Sequence, residues 1–188
     1  ELIALDAATG KSCPNFGSAG RVSLKEGIDS ARSWEYYPTS PPYITGNLAV
    51  IGATVPDNDR RDVPSGVVRA FDVRSGELAW AWEPVTEDYR QRHRDERGNT
   101  LYHLGSPNVW APISGDPQRQ LVFIPTGNPA PDLYGGDRDG IDYFGSSVVA
   151  LDAATGELRW RFQTVHHDVW DYDVAAQPPP TAGHFQPD

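Results

Sequence analysis

The chain has 188 residues, of which 22% are charged and 38% hydrophobic, and it carries a net charge of −10. This is the composition of a folded chain rather than a disordered one, and its acidity argues against non-specific binding to nucleic acid or anionic lipid. A single cysteine, Cys13, excludes an intrachain disulfide, and no apolar run approaches the ~20 residues that span a bilayer. Six Trp, eight Tyr, 18 Gly and 17 Pro predict an all-β protein rich in turns. No signal peptide is visible. There is no Met, the chain opens inside a strand-like stretch (ELIALD) and it closes in a polar, Pro-rich one, so a fragment of a longer protein is expected.

Taken along the chain, three segments resemble one another: LIALDAATGK at 2–11, VVRAFDVRSGELAW at 67–80 and VVALDAATGELRW at 148–160. Each is an alternating apolar strand, an Asp (Asp6, Asp72, Asp152), a turn closed by Gly (Gly10, Gly76, Gly156), then a second strand. Asp and Thr or Ser bond to nearby backbone N–H groups, and Gly supplies the positive φ that reverses the chain. Trp80 and Trp160 each stand four residues after the Gly and are expected to pack between neighbouring sheets. The spacings of 66 and 80 residues exceed the ~40–45 of a WD40 blade, so each unit carries long insertions. Recurrent strand–turn–strand units point to blades of a β-propeller, with about three covered here; a β-sandwich is the alternative. Further strands are predicted at Leu48–Thr54, Gln120–Pro125 and Ser146–Leu151. The mixed-charge run at 87–99 (EDYRQRHRDERGN) reads as a solvated loop, and no long amphipathic helix is evident.

The run QTVHHDVWDYD at 163–173 follows the last strand. Its two histidines suggest zinc, but adjacent side chains on an extended segment face opposite ways, so His166 and His167 do not share an ion. No other Cys or His completes a zinc set at recognisable spacing. One of them is expected to be a packed, hydrogen-bonded neighbour of the site, with Asp168 and Asp173 as supporting or turn residues.

The stretches LIALDAATGKSCPNFG, YYPTSPP, PDNDRRDVPSGVVRAFDVRSGELAWAW, SPNVWAP, PTGNPAPDLYGG and QTVHHDVWDYDVAAQP resemble, in this order, the quinoprotein dehydrogenases that use pyrroloquinoline quinone (PQQ), closest to the membrane-bound glucose/quinate/shikimate branch. The resemblance covers essentially the whole chain. It implies an eight-bladed propeller of which residues 1–188 form part of the PQQ-binding domain, with the other blades and an N-terminal membrane anchor region outside the chain. It further implies oxidation of a sugar or cyclic polyol, electron transfer to ubiquinone, and a location on the periplasmic face of the bacterial inner membrane. A propeller scaffold of the bacterial envelope with the same repeat and no catalysis is the rival reading.

Carried over position by position, the resemblance makes Asp171, the Asp after Trp170, the catalytic base. An ionised carboxylate beside a divalent cation can accept a proton from a bound alcohol; the alternative is an Asp capping a turn. Asn128 in TGNP corresponds to the amide ligand of Ca²⁺ or Mg²⁺ in the alcohol branch, and an amide oxygen suits such hard ions. Some sugar dehydrogenases depart from Asn there, and a Gly-Asn-Pro turn is the plain alternative. Asp57 and Asn58 in PDNDRRD are expected near metal and cofactor, with Asp57 a third metal ligand; otherwise they belong to a solvated acidic loop. Trp110 in NVWAP matches the indole that lies flat on PQQ, a role its large π surface suits. It could also be an ordinary interblade Trp. Thr39, Ser40 and Thr54 are candidate donors to the cofactor carboxylates. The positive residue that the family places at the quinone oxygens falls beyond Asp188.

Overall fold

A computed structural model describes residues 1–28, 32–94 and 101–179. Strand β1 (Leu2–Ile3) pairs antiparallel with β2 (Arg21–Val22). A four-stranded meander follows: β3 (Tyr43–Thr45), β4 (Leu48–Ile51), β5 (Val68–Asp72) and β6 (Leu78–Trp82). A second meander repeats it with β7 (Ser114–Asp116), β8 (Leu121–Pro125), β9 (Ser147–Asp152) and β10 (Leu158–Gln163). These are the three units read from the sequence, two of them complete.

The repeat aspartate builds the same turn each time. Asp6 accepts from Ala8 N and Thr9 N, Asp72 from Arg74 N and Ser75 N, and Asp152 from Ala154 N and Thr155 N, at 2.8–3.2 Å. The glycines close these turns in the left-handed region, at φ 69°, 76° and 73°. Gly156 meets a second demand, because a Cβ there would lie 2.6 Å from the ring of Trp80. Trp80 is buried, and its indole N–H donates to the Ala153 carbonyl at 3.2 Å. Thus the tryptophan of one sheet seats on the turn of the next, in a core shared by Val50, Val68, Trp82, Val122, Ile124 and Leu151. A second core lies on the other side of the first sheet, where Leu24, Ile51, Val55, Val63 and Phe71 meet Leu2 and Val22 of the two-stranded unit.

Trp160 is half-buried beside Phe123, 5.8 Å between ring centroids, on a face of the second sheet that no further sheet covers among the described residues. Two expectations need correction. The predicted strand 48–54 ends at Ile51, because beyond it the chain leaves the ladder; Thr54 makes only an isolated bridge to Tyr37. Within the run taken for a loop, Glu87–Arg92 form helix α1. Thr86 caps it by accepting from Tyr89 N, acids fill its first turn and arginines its last, and Tyr89 is its buried anchor. That cap-and-charge pattern was present in the sequence; residues 95–99 of the run lie outside the described part. The other two predicted strands appear within a residue of their expected starts.

Candidate active site

Loops from both four-stranded sheets meet at one end of the molecule, and their main chains are stitched together. Val109 N donates to Ala53 O, Gly127 N to Asn108 O, Asp132 N to Asp57 O, Ser146 N to Gly127 O and Val174 N to Thr126 O, at 2.9–3.2 Å. The stitching brings the segments holding Asp57, Trp110, Asn128 and Asp171 side by side.

At their meeting point stand carboxylates. One oxygen from each of Asp57, Asp171 and Asp173 falls within 4.8 Å of the others. Burial, reinforced by the charges of Asp173, Asp171 and Asp132, pushes Asp57 up to about 7, against the single relieving bond from Asn108 Nδ2 at 2.5 Å. Asp171 and Asp173 are raised too, first by burial and then by neighbouring aspartates. Asp171 has no hydrogen-bond partner for its carboxylate among the described residues.

The loop carrying Asp171 is braced by Asp168. This buried carboxylate accepts from Trp170 N and Tyr172 N at 3.0 Å and from Ser146 Oγ at 2.7 Å. Burial would raise its pKa, but these donors prevail and hold it below the usual range. Asp171 and Asp173 adopt left-handed φ of 58° and 49°, a conformation Asp tolerates better than most residues but at some cost. His166 and His167 take separate partners, Gln163 and Asp142, so they form no joint metal site.

Trp110 is fixed at both ends. Thr39 Oγ1 and Ser40 Oγ donate to its carbonyl at 2.8 and 2.7 Å, and its Nε1 donates to Asp173 Oδ2 at 2.7 Å. Thr39 and Ser40 thus anchor the main chain of Trp110. Asn128 is buried after β8. Its main-chain N–H donates to Asp173 Oδ1 at 2.7 Å, and its Oδ1 lies 3.1 Å from Ser146 Oγ. Its Nδ2 forms no full hydrogen bond, although it lies close enough to Asp168 to help depress that carboxylate. Asn58 is exposed in the turn after Asp57, and Thr54 is half-buried on the bridge to Tyr37. Sequence reasoning missed Asn108 and Asp132, whose only signal was lying inside motifs otherwise singled out, and Ser146, which was read only as the start of a strand.

Residues 1–183 match the family described as "PQQ: Glucose/ethanol/alcohol dehydrogenase, beta-propeller domain". The chain is 44% identical over 94% of its length to the glycerol dehydrogenase large subunit of Gluconobacter thailandicus, covering 24% of that protein. It is 43% identical to quinoprotein glucose dehydrogenase A of Acinetobacter calcoaceticus and 41% to the quinate/shikimate dehydrogenase (quinone) of Acinetobacter baylyi, in each case over 94% of the chain and 22% of the relative. The chain thus spans about a quarter of the length of these relatives. Among solved structures, a quinohemoprotein alcohol dehydrogenase from Pseudomonas putida HK5 superposes with a TM-score of 0.64 at 25% identity, over 92% of this chain and 25% of its own. Two complete four-stranded meanders, the repeated Asp–Gly turn and a match over residues 1–183 lead to one conclusion: the chain belongs to the glucose/ethanol/alcohol dehydrogenase β-propeller family of PQQ proteins.

Proposed function

We propose that this chain is an arc of a single PQQ-binding propeller domain in a dehydrogenase that oxidises a hydroxyl of a sugar or polyol, with Asp171 as the base. The observation that carries this reading is the meeting of Asp57, Asp171 and Asp173 within 4.8 Å beside an indole fixed by Thr39, Ser40 and Asp173. The relatives' names include glucose, glycerol and quinate/shikimate dehydrogenases, one of them marked as using a quinone. They support the substrate class and a quinone as electron acceptor; ubiquinone as that acceptor, and action on the periplasmic face of the inner membrane, are part of the proposal.

The residues fit the groups this family implies. A cluster made of oxygen donors, with Asp57 raised by burial and then by the neighbouring aspartates, suits Ca²⁺ or Mg²⁺ better than zinc. Asp57 and Asp171 would hold the ion, with Asn128 at its edge. The fixed, half-buried indole of Trp110 suits a planar cofactor. When bound, PQQ supplies the electrophilic carbonyl that accepts hydride, and the ion polarises it. The chain does the rest. Among the described residues no donor competes for Asp171, so its oxygens are open to a substrate hydroxyl proton. Asp168 holds the loop that presents it. A cation would favour the ionised state of Asp171 that a base needs.

In the full-length protein, Asp171→Asn should retain PQQ and lose turnover by about 10²–10⁴-fold. Turnover within a few-fold of wild type would overturn the assignment.

A further inference from the structure

Asp173 has a place in the site that its position as the second aspartate of WDYD does not reveal. Its two carboxylate oxygens face different loops. Oδ2 accepts the Trp110 indole N–H at 2.7 Å and Oδ1 accepts the Asn128 main-chain N–H at 2.7 Å. The carboxylate sits directly against bare backbone at Gly127, where a Cβ would lie 2.8 Å from Oδ1 and 3.0 Å from Cγ. Its own residue is held in the left-handed region at φ 49°. A third negative group next to Asp57 and Asp171 is unfavourable on charge alone, and a turn needs no carboxylate here. Two N–H donors arriving from opposite sides do need one, because an Asn would offer a single oxygen and direct its NH₂ at the other donor. Hydrogen bonds to a charged acceptor are short and directional, so the ring of Trp110 is fixed in rotation relative to the loop bearing Asn128.

We propose that Asp173 is the positioning residue for Trp110: it pins the indole to the Asn128 loop and so fixes the orientation in which the ring can carry a flat cofactor. The cofactor in this statement rests on the function proposed above; the pin itself does not.

The test uses full-length protein freed of PQQ, with Asp173→Gly, Trp110→Phe and the double variant. Glycine accepts the left-handed backbone at 173, and phenylalanine keeps an aromatic ring without the N–H. PQQ binding is titrated by fluorescence quenching. Each single variant should weaken it about tenfold, the value of one charge-assisted bond, and the double variant should be no worse than the weaker single. In the ultraviolet Raman difference spectrum of wild type minus Trp110→Phe, the indole band should report a strongly bonded N–H that Asp173→Gly frees. Additive losses, or a band unchanged by Asp173→Gly, would overturn the pin. Loss of Ca²⁺ affinity caused by Asp173→Gly and persisting in the Trp110→Phe background would make Asp173 a metal ligand instead, and would also overturn it. If wild type binds no PQQ, the proposed function fails while the Raman band still decides the pin. Should Asp173→Gly not fold, unchanged PQQ affinity in Trp110→Phe alone sinks the idea.

Discussion

The aspartates of this chain fall into two populations that behave in opposite ways. Those in the repeat turns, Asp6, Asp72 and Asp152, sit among donors. Their bonds to Thr9, to Ser75 and Arg74, and to Arg159 hold them below the usual carboxylate range, Asp152 at about 2. Those at the loop end, Asp57, Asp171 and Asp173, face burial and neighbouring aspartates, and all three are raised. The turn aspartates are satisfied within a few residues of themselves and serve the scaffold. The loop aspartates are brought together by contacts between sheets, and the donors that Asn108, Trp110 and Asn128 give to Asp57 and Asp173 do not offset burial and like charge, which is the electrostatic state that a cation relieves.

The contrast can be broken at its scaffold side first. Gly156→Val in the full-length protein should destabilise it by about 3 kcal/mol, combining left-handed strain with overpacking against Trp80, and read as a lower denaturation midpoint. A change under about 0.5 kcal/mol, the scale of a neutral surface substitution, would show that the Trp80 seat does not hold the sheets together.

At the site side, Ca²⁺ or Mg²⁺ at about 100 times its Kd should stabilise the protein by about 2.7 kcal/mol, and less once Asp57→Asn is introduced. The pH dependence follows with opposite signs for the two populations. Asp57 is raised from its ordinary 3.8 to about 7, so in the ion-free protein its favourable contribution is complete below the ordinary value and is lost as pH rises through 7. Added cation should flatten that slope. Asp152 is depressed to about 2, so its contribution is present above the ordinary value and is lost only as pH falls through 2. Melting curves between pH 4 and 8, with and without Ca²⁺, separate the cases; a slope indifferent to the ion removes Asp57 from the metal set.

The smallest effect is Asp152→Ala, which deletes one turn aspartate and should cost about 1 kcal/mol, the scale of a lost capping side chain. Calorimetry resolves it. Its cost should not change with Ca²⁺, because no loop carboxylate is involved.

Much of this was legible in the residues. The repeat turn is local chemistry: Asp152 reaches donors two and three residues away, and Gly156 supplies the φ. Strands β8 and β9 announced themselves through apolar runs. Asp57, Trp110, Asn128 and Asp171 were marked by motif, and the structure gathers their segments at one end. The resemblance marked Asp171 as the base and left Asp173 a supporting or turn residue; what motif could not say was what Asp173 supports. Asp171 and Asp173 are the same residue type two positions apart; one is left open and the other is spent on Trp110 and Asn128, 63 and 45 residues away in sequence. The motif gave no sign that the hydroxyls of Thr39 and Ser40 reach the carbonyl of Trp110, some seventy residues on.

The sequence by itself determined the elements whose partners lie within a turn's reach: the Asp–Gly reversals, the alternating strands, and the cap of α1 that was there to be read in Thr86 and the charges after it. Only the tertiary structure decided the bonds of Asp173 to Trp110 and Asn128 and the seat of Trp80 on Gly156. Those depend on how one sheet lies over the next, and such long-range contacts are chosen by the packing of two surfaces rather than by any short stretch of chain.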